Sequence, residues 1–185
     1  MITMNTKNLL LLASLTLTMP LTAQTPQEDF KRDITLSGSN YVAYRGPQKQ
    51  LTAAPKGYKP FYLSHYGRHG SRYMIGKKAY DVPYFSLLKA KQEGKLTAKG
   101  EETLAKVKMI REEAKGRDGE LTPLGALQHQ GITRRMMERF PEIFAGNTNI
   151  EARSTLVIRC ILSMENGLQQ MLRINPKLHI FHDAS

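Results

Sequence analysis

Apolar residues along this chain alternate in some segments and recur every three or four positions in others. Alternation over four to eight residues predicts strands, and the longer spacing predicts amphipathic helices. The predicted elements are, in order, a strand at 61–66, helices at 80–92, 97–115 and from 122, a strand at 149–152, a helix at 155–173 and a strand at 178–182. Because strands alternate with helices, we expect an α/β fold whose sheet contains parallel strand pairs.

Two of these helices have clear start signals. Thr97 can cap the helix that Gly116 ends, and Thr122 stands before Pro123, a residue favoured at the first helical position. The apolar stripe of this later helix is predicted to consist of Leu124, Leu127, Ile132 and Met136.

The first 23 residues have the pattern of a secretory signal. Lys7 is followed by an apolar run at 9–17, and Ala23 is the small residue that a cleavage site needs. This run is too short to cross a hydrocarbon core of about 30 Å. We therefore predict an exported protein, periplasmic or secreted, without a stable membrane anchor. Residues 24–60 are rich in turn formers and are expected to be an irregular lead-in.

The composition adds three points to this picture. The 185 residues are 41% hydrophobic and 23% charged, which excludes a disordered, collagen-like or polytopic membrane protein. The single cysteine, Cys160, excludes an intramolecular disulfide framework and a cysteine-rich metal site, and it is expected to be buried in a helix. The net charge of +11 favours an anionic partner without specifying its kind.

The chemistry is concentrated in residues 68–72, which directly follow the first predicted strand. In open α/β sheets, ligands bind at strand ends. Arg68 and Arg72 can each hold phosphate oxygens through two parallel hydrogen bonds, and Gly70 lets the backbone approach a ligand closely. Among such fixed charges, the His69 imidazole is expected to stay neutral and to attack phosphorus. The alternative is an ordinary basic loop.

A second candidate segment lies where the strand at 149–152 is predicted to pass into a helix. Arg153 stands at this junction, and the N–H groups of a helix N-terminus favour an anion. The alternative is that Ser154 or Thr155 serves only as a helix cap. Arg159, one turn later, is expected to face the same site or to pair with Glu151.

Together these segments resemble the histidine phosphatase superfamily, in its acid phosphatase and phytase branch. The resemblance implies a three-layer α/β core with a mostly parallel sheet and flanking helices, incomplete in this chain. Three motifs occur in the same order as in that branch, between residues 61 and 167. They are Arg-His-Gly-Ser-Arg at 68–72, Leu-Thr-Pro-Leu-Gly-Ala-Leu-Gln at 121–128, and Arg153-Ser154-Thr155 with Arg159-Cys160. The pairs Arg72-Tyr73 and Arg159-Cys160 look most like the multiple inositol-polyphosphate phosphatases.

The resemblance implies phosphomonoester hydrolysis through a phosphohistidine on His69, with an inositol polyphosphate as the expected substrate. The residues that would bind its phosphate are Arg68, Arg72 and Arg153. Residues expected to support them are Ser71, Thr155 and Arg159. The arginines neutralise the charge of the transferred group, so the resemblance implies no metal and no cofactor.

The superfamily also uses an acid from a late strand, in a His-Asp or His-Ala-Glu motif, to protonate the leaving alcohol. His182 and Asp183 have suitable side chains, but Asp183 follows His69 by only 114 residues, which is too few for this branch. We therefore expect residues 61–185 to be the N-terminal part of a larger domain, and the 185-residue chain alone to have little turnover.

Several alternatives remain open. One is a catalytically incompetent fragment or a non-catalytic anion-binding paralogue, and another is a mutase-like member of the same superfamily. Nucleic-acid binding is not expected, because the aromatic residues are not interleaved with the basic ones. His65, His129 and His179 are interpreted as structural residues. The basic residues at 99–115 and 134–135 are interpreted as solvated faces that can also steer a polyanion. The oligomeric state is not predicted.

Overall fold

The computed structural model describes residues 25–47, 49–50 and 52–185 of the chain. The signal-peptide prediction for residues 1–23 lies outside the described residues. The described part divides into two compact units, one that ends at Ala43 and one that spans Tyr44–Ser185. Among these residues, no helix has both the length and the apolar composition needed to cross a membrane.

The first unit is more regular than the predicted irregular lead-in. It contains helix α1 (Pro26–Arg32) and a 3₁₀ helix at Ile34–Tyr41. The N-terminus of α1 is closed by a reciprocal cap, because the Thr25 hydroxyl accepts a hydrogen bond from the Glu28 N–H and the Glu28 carboxylate accepts one from the Thr25 N–H. The prediction missed this local start signal. The described residues between 42 and 60 form neither helix nor strand.

The second unit contains the elements that carry the candidate site. In chain order these are α2 (Lys78–Gln92), α3 (Ala98–Glu113), α4 (Pro123–Arg139), β1 (Asn149–Ser154), α5 (Ile158–Ile174) and β2 (His179–Ala184). The strands β1 and β2 pair in parallel, from Asn149 opposite His179 to Ser154 opposite Ala184. This arrangement of a small parallel sheet with flanking helices confirms the predicted α/β class.

Helices α2 and α3 pack against each other as a pair. The Thr97 hydroxyl accepts a hydrogen bond from the Gly100 N–H and begins α3, as predicted. Gly116 follows the end of α3 with a φ of +76°, a conformation that glycine adopts without strain. A short ion pair of 2.7 Å joins Asp81 on α2 to Arg111 on α3.

Helices α4 and α5 pack together and cover one face of the strand pair. The buried apolar cluster between them consists of Met137, Phe144, Leu168, Met171 and Leu178. The helices approach closely at Gly167, where an added Cβ would lie 3.0 Å from the Thr133 hydroxyl. The opposite face of the strands is exposed, with Phe181 at 62% exposure.

The predicted apolar stripe of α4 is only partly correct. Met136 packs against the buried cluster and Ile132 is partly buried, but Leu124 and Leu127 are about half exposed. The fully buried residues of this helix are Gly125, Thr133 and Met137. Close contact with neighbouring backbone and with α5 favours small residues at two of these positions, and a pattern based on apolar residues alone does not identify them.

The predicted strand at residues 61–66 is also wrong, because the structure has no strand there. Phe61 and Tyr66 are 94% and 100% exposed. A strand exists only where its backbone groups bond to a neighbouring strand, and sequence alternation does not identify such a neighbour. The segment 68–72 is therefore held by other means than a sheet.

The junction between β1 and α5 differs from the prediction as well. β1 continues to Ser154, and α5 begins only at Ile158, after Val157 as its N-cap. No side chain caps this helix, so neither Ser154 nor Thr155 has the predicted capping role. The parallel pairing of Ser154 with Ala184 accounts for the difference, because it keeps Ser154 in the strand and the helix begins later.

Candidate active site

The His69 ring is half-buried, and the backbone next to it orients it. The ring nitrogen Nδ1 lies 2.8 Å from the carbonyl oxygen of Gly70. A carbonyl can only accept a hydrogen bond, so Nδ1 carries the proton. In the neutral ring, Nε2 then keeps its lone pair and is available for nucleophilic attack.

The peptide groups on both sides of His69 are held by side chains from α4 and α5. The Arg68 carbonyl, which precedes His69, accepts a hydrogen bond from Nε2 of His129 at 3.1 Å. The Gly70 N–H, which follows His69, donates to the hydroxyl of the buried Ser163 at 3.1 Å. These bonds give the backbone the partners that a sheet would otherwise provide.

The next peptide is held by the start of α4. The Ser71 N–H donates to the Gln128 side-chain carbonyl at 2.8 Å. The Ser71 carbonyl accepts bonds from both the N–H and the hydroxyl of Thr122, each at 2.9 Å. The same Thr122 hydroxyl accepts from the Gly125 N–H and caps the helix, as predicted. One residue thus begins α4 and attaches the loop to it.

The loop and α4 cross at backbone contact distance. A Cβ added to Gly70 would lie 2.6 Å from Cα of Gly125, and a Cβ added to Gly125 would lie 2.9 Å from the Ser71 nitrogen. Real Cβ atoms do not approach other atoms so closely. Glycine is therefore required at both positions for this crossing.

Two arginines present buried donors near this loop. Nη1 of Arg72 donates to the Tyr73 carbonyl at 2.8 Å. The Nε atoms of Arg72 and Arg159 are buried and, within the described residues, have no hydrogen-bond partner. Arg159 packs against Gly119, and its carbonyl accepts a bond from the Ser163 hydroxyl at 2.7 Å. A buried Nε–H group without a partner favours an anion, which would accept its hydrogen bond.

The structure brings some of the predicted site residues together and leaves others apart. One loop, residues 68–72, carries Arg68, His69, Ser71 and Arg72, and we call it the His69 loop. Arg68 is exposed. Ser163 connects this loop to the first turn of α5, which carries Arg159. The remaining predicted residues, Arg153 and Thr155, lie outside this loop.

Arg153 does not lie at a helix N-terminus, as the sequence had suggested. It lies within β1, exposed, and in register with Asp183 of β2. Thr155 is an exposed residue of the turn before α5. No described contact connects Arg153 or Thr155 to the His69 loop, because the strand runs past the predicted junction.

His182 and Asp183 also lie apart from the loop. Nδ1 of His182 lies 2.5 Å from a carboxylate oxygen of Glu165 on α5. Asp183 is exposed, and the described contacts of both residues do not reach His69. Cys160, expected to be buried, is only partly so and is a free thiol. Within the described residues, no group of three or more His, Cys, Asp or Glu side chains is arranged to hold a metal ion.

His129, interpreted from the sequence as a structural residue, contacts the loop directly. Burial lowers its pKa, and the charges of His65 and His69 lower it further, against the opposing effect of its hydrogen bond to the Arg68 carbonyl. The sequence carries no signal of this contact, because Arg68 lies 61 positions earlier and contributes a backbone atom.

This lowered pKa predicts a loss of stability in acid. Below the ordinary histidine value of about 6.5, the unfolded chain binds a proton at His129 more readily than the folded chain does. The free energy of unfolding therefore decreases as the pH falls below this value. Urea unfolding at about pH 7.5 and about pH 5.5 should show a smaller decrease for His129→Gln than for the parent protein. Equal decreases would contradict the prediction.

A solved structure of a known enzyme is similar to this chain. A crystal structure of the Bifidobacterium longum multiple inositol polyphosphate phosphatase, in complex with inositol hexasulfate, matches this chain with a TM-score of 0.53 and 26% identity. The chain is similar in structure to a phosphatase. The match covers 73% of this chain but only 29% of the phosphatase chain. No family model and no curated protein matches the sequence.

Proposed function

We propose that the protein carrying this chain hydrolyses phosphomonoesters, with His69 as its nucleophile. The observation that carries the proposal is the His69–Gly70 hydrogen bond, which assigns the proton to Nδ1 and leaves Nε2 free to attack. The structural similarity to an inositol polyphosphate phosphatase supports the same reaction class.

In the proposed reaction, Nε2 of His69 forms a bond to phosphorus as the ester P–O bond breaks. The alcohol leaves with a proton, and the phosphoryl group stays on the imidazole. Water then attacks phosphorus, the N–P bond breaks, and inorganic phosphate leaves while His69 returns to its initial state. The first step needs a proton donor for the leaving alcohol, and we assign this role to no residue of the chain.

Fixed positive charge would stabilise the phosphoryl group as it is transferred. Arg68 and Arg72 flank His69 in the loop and are proposed to bind phosphate oxygens. We add Arg159 to this pair in preference to Arg153. Its Nε is buried and unpartnered within the described residues, and Ser163 connects its backbone to Gly70.

An inositol polyphosphate is the proposed substrate. The similar Bifidobacterium enzyme is named for this substrate class, and its structure contains the polyanionic inositol hexasulfate. The net charge of +11 would favour the approach of such a polyanion. The same proposal includes export to the periplasm or the medium, because residues 1–23 have the pattern of a secretory signal.

Rapid-quench labelling tests the proposal. Radiolabelled dinitrophenyl phosphate is a suitable probe, because its leaving group departs without a proton and the result does not depend on a general acid. We expect the label on His69 in the parent protein and in His179→Ala, which changes an exposed histidine on β2. His69→Ala should carry no label. Equal labelling of His69→Ala would refute the proposed nucleophile.

Anion binding without turnover is the second candidate function. This function is favoured by the position of His182 and Asp183. Their described contacts do not reach the His69 loop, so these two residues offer the loop no proton donor. In that case calorimetry would detect binding of inorganic phosphate, whereas phosphate esters of alcohols, whose leaving groups need a proton, would not be hydrolysed.

A further inference from the structure

We propose that His129 is a positioning residue, which fixes the direction of the His69 ring by holding the peptide group that precedes it. This inference rests on the proposed function, since it gives His129 a part in the work of the nucleophile. It reassigns a residue that the sequence alone suggested to be structural.

The geometry around His69 carries the inference. A side chain leaves the backbone at Cα, and its direction depends on the two peptide planes that meet there. The preceding plane contains the Arg68 carbonyl, which accepts the bond from Nε2 of His129 at 3.1 Å. The following plane contains the Gly70 N–H, which donates to Ser163 at 3.1 Å. Both planes are thus attached to side chains outside the loop.

The two attachment points belong to a rigid base. His129 lies on α4 and Ser163 on α5, and these helices meet closely at Thr133 and Gly167. The Ser163 hydroxyl donates its own proton to the Arg159 carbonyl at 2.7 Å, so its lone pairs face the Gly70 N–H. The loop therefore depends on α4 and α5 for its position.

His129 is suited to hold a carbonyl beside an arginine. Nε2 carries a proton in both charge states of the ring when it donates to Arg68, so the bond does not require a charged imidazole. Burial and the neighbouring charges of His65 and His69 lower the pKa of His129 and favour the neutral ring. A neutral donor holds the Arg68 carbonyl without repelling the Arg68 guanidinium.

Loss of this bond should affect the reaction more than substrate binding. A displacement of about 1 Å at a reacting group can cost about 10²-fold in rate, and one of the two attachments remains in place. We therefore expect His129→Ala to lower kcat by about 10- to 100-fold while KM changes by less than about twofold. Glutamine places its amide N–H near the position of Nε2, so His129→Gln should return kcat to within about threefold of the parent.

The test uses the native protein that carries this chain, with His129→Ala, His129→Gln and, as the matched control, His179→Ala. Four quantities are measured: kcat and KM for dinitrophenyl phosphate, the phosphohistidine label, and deuterium exchange of the backbone amides at 68–72. Faster exchange in His129→Ala, restored by His129→Gln, is expected along with the changes in kcat. The thermal midpoint identifies any variant that fails to fold.

The possible outcomes separate the inference from the proposed function. Parental kcat and exchange in His129→Ala would overturn the inference, as would a His129→Gln protein as impaired as His129→Ala. A parent protein without label on His69 would instead refute the proposed function. The exchange data would then decide separately whether His129 holds the loop, because they require no turnover.

Discussion

Arg159→Ala is expected to lower kcat/KM for phosphomonoesters by about 10²- to 10³-fold, the loss found when one donor to a developing anionic charge is removed. The guanidinium of Arg159 has a buried Nε that lacks a partner within the described residues, and a bound phosphate would supply one. Arg159→Lys should recover only part of the loss, since an ammonium cannot form two parallel bonds to phosphate oxygens.

Arg153→Ala is the matched control for this experiment. Arg153 is exposed on β1, and no described contact connects it to the His69 loop, so its kcat/KM should stay within about threefold of the parent value. The free energy of unfolding provides a second measurement on Arg159→Ala. Arg159→Ala removes a partly buried side chain whose Nε has no described partner, so we expect little change in the free energy of unfolding. A large loss in Arg153→Ala with none in Arg159→Ala would restore the assignment made from the sequence.

Gly125→Ala is expected to destabilise the protein by about 2–3 kcal/mol and to displace the His69 loop, because overpacking forces backbone to move. The added Cβ would lie 2.9 Å from the Ser71 nitrogen, and neither the loop nor α4 can yield without breaking the bonds of Thr122. Urea unfolding measures the change, and the phosphohistidine yield reports the displaced nucleophile.

Gly131→Ala on the same helix is its control. There the added Cβ would meet only the flexible end of the Arg135 side chain, at 3.3 Å. Alanine is favoured over glycine within helices by up to about 1 kcal/mol, so this variant should be as stable as the parent or more stable. If Gly125→Ala and Gly131→Ala unfold at the same urea concentration, the close crossing does not constrain the loop.

The features that the sequence predicts well are those determined by neighbouring residues. Thr97 and Thr122 cap their helices as expected, because a cap needs only a hydroxyl and an N–H three positions later. The parallel strands and the class of fold were also predicted, since apolar spacing and the order of elements are enough for them. The resemblance to a phosphatase agrees with the structural match at the level of reaction class.

The features that could not be predicted depend on distant parts of the chain. The strand expected at 61–66 would need a neighbouring strand to pair with, and alternation in the sequence does not identify one. Arg153 was assigned to a helix start because the pairing of Ser154 with Ala184, which lengthens β1, is not visible locally. His129 was judged structural because its partner, the Arg68 carbonyl, is 61 positions earlier and is a backbone atom. Candidate residues for the site were visible in the sequence, whereas their contacts were not.

The Gly70–Ser163 hydrogen bond has a consequence for how the protein loses activity. Its partners are 93 positions apart, so the bond requires α5 to be docked beside the loop. The N-terminus of α5 has no side-chain cap, and fraying of its first turns would release the nucleophile while the rest of the helices remain intact. During gentle heating, enzymatic activity should therefore disappear before the far-ultraviolet circular dichroism signal does.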